Sequence, residues 1–125
     1  MILGIGTDIA RVARFEAAQA RHGERFARRV LGDDELVGYR QRGQPASFLA
    51  KRFAAKEAFV KALGTGLRRG MRWSEIQVVN DALGRPSLAL SGRALALAEA
   101  EGVRGLHLSL SDESAFAVAF VVLED

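Results

Sequence analysis

Two periods of apolar residues, one of strands and one of helices, divide this chain. Residues 2–7 are apolar or glycine apart from Thr7 and predict a strand ending at Thr7 and Asp8. From about 10 to 22, Val12 and Phe15 stand among alanines and arginines at helical spacing, and Gly23 interrupts them. Short helices are predicted over Glu24–Val30 and over 34–39, the latter capped by Asp33, with a turn at 41–45. The longest helix is predicted over Ala46–Leu63, where Gly64 stops it. Strands follow at 76–79 and Pro86–Leu90, joined by the turn Asn80-Asp81-Ala82-Leu83-Gly84. Ser91 is placed to cap a helix that ends at Gly102. Two strands at 106–111 and 115–123 close the chain, linked at Asp112-Glu113-Ser114.

Helices and strands do not alternate regularly, and the later strands come as antiparallel neighbours. The expected class is α+β, a small, mostly antiparallel sheet packed on a long central helix. At 125 residues the chain is expected to form one domain, residues 1–125, whose modest core would gain from burying more surface in an oligomer. No apolar run reaches the roughly 18 residues of a membrane span. Met1-Ile2-Leu3 reads as a native start that enters a strand at once rather than as a signal peptide. The absence of cysteine excludes a disulfide framework and thiolate metal sites, and fits a reducing, cytoplasmic setting.

Net charge is only +3, but Arg11, Arg14, Arg21, Arg25, Arg28, Arg29, Arg40 and Arg42 crowd the first third. Such clustering points to an acidic partner or to a solvated helix face. On the long helix, Phe48, Leu49, Phe53, Phe59, Val60 and Leu63 share one broad side. Glu57 and Lys61 lie one turn apart on another stripe, over a floor made by Ala50, Ala54 and Ala58. A floor that low admits something bulky, a ligand or another chain; the plainer reading is a surface Glu–Lys pair. Asp8 follows two glycines at a strand end, where it either caps the next helix or binds a hard metal. Gly64-Thr65-Gly66, with Lys61, Arg68 and Arg69 nearby, has the makings of an anion loop, although a helix stop alone explains the glycines. His107, Ser109 and Ser111 form the polar face of an alternating strand that could line a cleft.

Three blocks carry a resemblance that covers essentially the whole chain. They are Gly4-Ile5-Gly6-Thr7-Asp8-Ile9, the run from Phe48 to Ala58 continuing through Lys61 to Gly64-Thr65-Gly66, and His107-Leu108-Ser109-Leu110-Ser111-Asp112. In order and spacing they resemble the small bacterial 4′-phosphopantetheinyl transferases of the holo-[acyl-carrier-protein] synthase type. The resemblance implies coenzyme A as donor, a serine of acyl carrier protein as acceptor, and a homotrimer with active sites between subunits. It implies magnesium held by Asp8 and Glu57, with Lys61 as the active-site lysine. It places Arg52, Gly64, Thr65, Pro86 and His107 along coenzyme A, and Arg14, Arg21, Arg25 and Phe26 on the carrier-docking surface. Fatty acid biosynthesis is the process implied.

In such a reaction the serine hydroxyl attacks the β-phosphorus of the pyrophosphate, and adenosine 3′,5′-bisphosphate leaves. Two carboxylates plus substrate phosphates are a usual magnesium environment. Lys61 is expected to stabilise phosphate charge rather than act as base. The base is left among a metal-bound water, Glu57 and a more distant group. Two rivals compete. A nucleic-acid-binding domain would use the arginines but has only Phe15, Phe26 and Tyr39 among them, and it leaves Asp8 and Glu57 without a task. An oligomeric scaffold would use the alanine-rich helix and predicts no activity to lose in Glu57→Gln.

Overall fold

A computed structural model describes residues 1–67 and 70–125. The order of elements is β1 (Ile2–Arg11), α1 (Val12–His22), α2 (Glu24–Val30), α3 (Asp33–Gln41), α4 (Ala46–Leu63), a 3-10 turn (Trp73–Glu75), β2 (Ile76–Asn80), β3 (Pro86–Leu90), α5 (Gly92–Ala100), β4 (Gly105–Asp112) and β5 (Phe116–Glu124). The strands form a three-stranded sheet in the order β1-β5-β4 and a two-stranded sheet β2-β3, with every described pairing antiparallel. The α+β class expected from the patterning holds.

The largest boundary difference is in β1, which runs through Asp8 to Arg11 instead of ending at Asp8. Asp8 therefore pairs across to Ala119 in mid-strand, and Arg11 stands at the N-cap of α1 without a side-chain cap bond. The cap reading of Asp8 is thereby corrected. Asp33 lies within α3 rather than capping it; Gly32 takes the N-cap place, and its amide donates to the Glu35 carboxylate at 2.9 Å. The turn between β2 and β3 forms as expected around Asp81, whose Oδ1 accepts from the amides of Leu83 and Arg85.

Helix α4 is the spine of the core. It is buried on almost every side, by Phe48, Leu49, Phe59 and Val60 but also by Ala50, Ala54, Ala55 and Ala58. One face of the three-stranded sheet covers it with Gly4, Gly6, Ala10, Ala117, Ala119, Val121 and Leu123. Contact is closest at the glycines. A Cβ on Gly6 would fall 2.1 Å from the carbonyl oxygen of Ala58, and one on Gly4 2.0 Å from that of Ala62. At Ala58 the alanine floor of α4 receives the chain's own strand β1, and Ala50 and Ala54 are likewise fully buried within the chain, so the floor is covered from inside the fold. Gly64 ends the helix in the left-handed conformation, φ 83°, which costs glycine little.

The opposite face of this sheet is apolar and exposed. Ile5, Ile9, Phe116, Val118 and Phe120 project from it, with Ile9 at 65% exposure. Cross-strand neighbours on that face include Ile9 and Val118, and Thr7 and Phe120.

Candidate functional site

Strand alternation explains how Asp8 reaches α4. Gly4, Gly6, Asp8 and Ala10 share the inward face of β1, and the two glycines let that strand lie directly on the helix backbone. Asp8 is the next inward residue beyond the contact, and it meets Lys61. The Lys61 ammonium donates to Asp8 Oδ1 at 3.1 Å and to the carbonyl oxygen of Thr7 at 3.0 Å. Glu57, one turn earlier on α4, completes the cluster. Partial burial raises the Glu57 carboxyl above the ordinary carboxylate range, the negative charge of Asp8 raises it further, and Lys61 and Arg14 oppose both. Two carboxylates from separate elements thus share one field, with a cation beside them.

Among the described residues no group of three histidine, cysteine or acidic side chains could enclose a metal ion. Two hard oxygen donors fit magnesium, which usually takes one or two carboxylates and leaves its other positions to water and substrate phosphates. They do not fit a structural zinc site, which needs four protein ligands.

The remaining site residues separate into further places on the surface. Gly64 and Thr65 follow directly from the turn of α4 that carries Lys61, and Thr65 Oγ1 donates to the Gly66 carbonyl at 2.9 Å. Arg68 and Arg69, counted above with this loop, lie outside the described residues. Pro86 and His107 come together in one cavity of about 310 Å³, lined also by Asp81 and Arg85. His107 Nε2 sits 2.8 Å from Glu124 Oε1. Arg52 lines a different cavity, of about 240 Å³, with Arg42, Phe48 and Asn80. Its guanidinium stacks 3.8 Å from the Phe48 ring centroid and donates to Asn80 Oδ1 at 3.2 Å. Its Nε is buried without a hydrogen-bond partner among the described residues, 3.6 Å from Glu35 Oε2. Asp8, Glu57 and Lys61 line neither cavity.

The four residues expected to dock the carrier, Arg14, Arg21, Arg25 and Phe26, gather on α1 and α2. Arg14, Arg21 and Phe26 line an open groove between those helices, and Arg25 joins Phe26 in a smaller one beside it. Arg14 also lies 5.4 Å from the Phe53 ring centroid, and its charge reaches Glu57. It is therefore common to the groove and to the acidic cluster.

The pattern reading missed the ion pair of Lys56 and Glu35, both fully buried. Lys56 Nζ donates to Glu35 Oε1 at 2.7 Å, to the Trp73 carbonyl at 3.0 Å and to the Ile76 carbonyl. Glu35 Oε2 accepts from the Val78 amide at 3.0 Å. Burial pushes the Lys56 ammonium below the ordinary lysine range, and Glu35 opposes that shift. This network ties α4 to α3, the 3-10 turn and β2. A signal was present, since Lys56 falls three residues after Phe53 and four before Val60, amid the apolar side of the helix.

Comparison with known proteins follows the same lines. The family model of the 4′-phosphopantetheinyl transferase superfamily matches residues 4–121. The chain is 54% identical over 123 residues to the holo-[acyl-carrier-protein] synthase of Klebsiella pneumoniae strain 342, covering 98% of each. Its fold is similar to the crystal structure of holo-[acyl-carrier-protein] synthase from Neisseria meningitidis, with TM-score 0.92, 45% identity and full coverage of both chains. The Helicobacter pylori enzyme, solved in complex with coenzyme A, is similar with TM-score 0.83 and 30% identity, over 96% of this chain and 99% of that one.

Proposed function

The chain belongs to the 4′-phosphopantetheinyl transferase superfamily, and from that premise we propose the chemistry of its site, Asp8, Glu57 and Lys61 forming the centre of transfer. The reaction moves the 4′-phosphopantetheine arm of coenzyme A to a serine of apo acyl carrier protein and releases adenosine 3′,5′-bisphosphate, as the names and ligands of its relatives support. That places it in the supply of carrier for fatty acid biosynthesis. One phosphopantetheinyl transferase domain spans residues 1–125.

The observation that carries the reading is the meeting of Asp8 and Glu57, from β1 and α4, with Lys61 bonded to Asp8. Coenzyme A brings a strongly anionic diphosphate, so a hydroxyl can approach its phosphorus only once that charge is offset. Asp8 and Glu57 would hold a magnesium ion, which when bound supplies Lewis-acid polarisation of phosphate oxygens. Lys61 holds Asp8 in place before substrate arrives, and its ammonium then offsets charge on the transferring and leaving phosphates. The amides after Gly64 and the hydroxyl of Thr65 face the same phosphates from the end of α4. Arg52, whose buried Nε has no hydrogen-bond partner among the described residues, and the Pro86–His107 cavity receive the nucleotide end.

These binding residues occupy separate cavities of one chain, which favours a site completed between subunits. The exposed face carrying Ile5, Ile9, Val118 and Phe120 is the surface to be buried in a homotrimer. His107 belongs to that face, opposite Val122. No described helix is long and apolar enough to cross a membrane, and a cytoplasmic setting suits both substrates.

Mass spectrometry of apo carrier protein incubated with the enzyme, coenzyme A and magnesium tests the reading. A gain of one phosphopantetheine unit is expected, lost in Asp8→Asn and in Glu57→Gln, each still folded. Full turnover in either variant would remove these carboxylates from the chemistry.

A further inference from the structure

Glu35 is a fully buried carboxylate that no step of the transfer uses. Its Oε1 accepts from the Gly32 amide at 2.9 Å and from Lys56 Nζ at 2.7 Å, and its Oε2 accepts from the Val78 amide at 3.0 Å. Arg52 Nε lies 3.6 Å from Oε2, within ion-pair range but beyond a hydrogen bond. Two cations therefore face one carboxylate, and Lys56 holds the shorter contact. The Lys56–Glu35 pair is neutral, and the charge of Arg52 is left in excess.

The Arg52 guanidinium is fastened on three sides. Glu35 stands at its Nε, Asn80 Oδ1 accepts from its Nη2 at 3.2 Å, and the Phe48 ring centroid lies 3.8 Å from its plane carbon. Strand β2 supplies two of these restraints, through the Val78 amide that holds Glu35 and through the Asn80 side chain. Glu35 is itself fixed by backbone, at the third position of α3 and against the amides of Gly32 and Val78. Arg52 is thus set relative to α3 and β2 as well as to its own helix, and it lines a cavity of about 240 Å³ that Arg42 and Asp34 also line. Burial disfavours the Arg52 cation, Glu35 opposes that effect, and Arg42 adds to it.

We propose that Glu35 is a positioning residue for the donor: it sets the Arg52 guanidinium toward a phosphate group at the nucleotide end of coenzyme A and does not touch that group itself. The inference rests on the reading that Arg52 receives the nucleotide end. A carboxylate beside an anion site is unfavourable by itself. Lys56 offsets that charge, so Glu35 orients Arg52 without cancelling it. A guanidinium already in place loses little side-chain freedom when the phosphate arrives. A pair that only stabilised the fold would need Lys56 and Glu35 alone, and the second cation at the same carboxylate would have no task.

The test compares wild type, Glu35→Gln, Arg52→Gln and the double variant, below their melting midpoints and per folded enzyme. Adenosine 3′,5′-bisphosphate is titrated by isothermal calorimetry, and coenzyme A in the transfer assay. Glu35→Gln keeps an oxygen for Lys56 and Gly32 but removes the negative charge beside Arg52. Expected is a rise of about 3- to 10-fold in Kd for the bisphosphate and in KM for coenzyme A, the size of one net hydrogen bond, with kcat and KM for carrier retained. Loss of stability alone would lower the folded fraction and leave these constants unmoved. In the Arg52→Gln background the Glu35 substitution should add less than about twofold, because it acts through that side chain. Arginine-selective 15N spectra of the free wild-type enzyme decide the point if Glu35→Gln does not fold. The Arg52 Nε–H signal, identified by its absence from Arg52→Lys, should report a rigid side chain before any ligand is added. A bisphosphate Kd unchanged in folded Glu35→Gln or in Arg52→Gln, fully additive effects in the double variant, or an Arg52 signal that stays mobile until the bisphosphate is added overturns the inference. Wild type that binds the bisphosphate but leaves carrier unmodified overturns the transfer reading, and the calorimetric comparison still decides the role of Glu35.

Discussion

Lys56→Met tests the buried pair that sequence patterning missed. Both members are fully buried. The variant keeps the length of the side chain but deletes the ammonium. Glu35 then retains the amides of Gly32 and Val78, with Arg52 at 3.6 Å as the nearest remaining cation, and the carbonyls of Trp73 and Ile76 lose their donor. Removing one partner of a buried pair costs about 3–5 kcal/mol, because the other charge is left in a poor solvent. With an unfolding entropy of about 2.1 cal/mol/K per residue over 125 residues, the melting temperature should fall by about 11–19 °C. The double variant Lys56→Met with Glu35→Gln deletes both charges, and burial already pushes Lys56 below its ordinary range. It should therefore lose no more stability than the worse single variant. Thermal unfolding followed by circular dichroism and by fluorescence of Trp73, the one tryptophan in the chain, gives all three values. A single-variant loss under about 1 kcal/mol, well below the 3–5 expected, or a double variant equal to the sum of the singles, would refute the reasoning.

Other substitutions probe the remaining contacts. Gly6→Ala puts a methyl 2.1 Å from the Ala58 carbonyl oxygen and 2.7 Å from the Ala62 amide nitrogen; since backbone must move, a loss of about 1–3 kcal/mol or more is expected in chemical denaturation, with reduced transfer because Asp8 is displaced too. Without metal, Glu57 titrates above the ordinary carboxylate range, so its contribution to stability is complete at low pH and is lost as pH rises through the raised folded value. Melting curves against pH should then show metal-free Glu57→Gln at least as stable as wild type at neutral pH, and magnesium should stabilise wild type only. Phe120→Glu places a charge on the apolar sheet face, and light scattering should find it shifted toward monomer with transfer impaired. Arg14→Glu should raise KM for carrier about tenfold or more, in line with loss of a charged interface contact, while isothermal titration finds coenzyme A binding retained.

Much of the fold was legible because the residues that define it sit at element ends and in regular periods. Gly64 marked the end of α4, and the alternation from Leu106 to Ser111 marked the face of β4. The clustering of the candidate site residues was legible through spacing on one helix, Glu57 to Lys61, and through Asp8 after two glycines. What was misread concerns partners that no local pattern names. Ala50, Ala54 and Ala58 predict close approach but not by what, and only with Gly4 and Gly6 set opposite does β1 become the occupant. Asp8 seemed a cap because a polar residue after an apolar run resembles a strand end; the pairing with β5 extends the strand past it. Lys56 and Glu35 are charged, and burial of a charge is decided by tertiary pairing.

Close packing of β1 on α4 also explains why the acidic pair can be both unfavourable and fixed. The glycines bring strand backbone against helix backbone, and Asp8 cannot retreat from Glu57 without lifting β1 away from Ala58 and Ala62. On the far side of the same helix, Lys56 anchors the backbone through Glu35, Trp73 and Ile76. The two carboxylates are therefore held by the packing of β1 on α4 and by the anchoring of α4 through Lys56. Lys61 relieves part of their repulsion, and a divalent ion would relieve more. The fold keeps the two carboxylates in place by packing, and in the proposed role a divalent cation between them would offset the repulsion by which Asp8 raises Glu57.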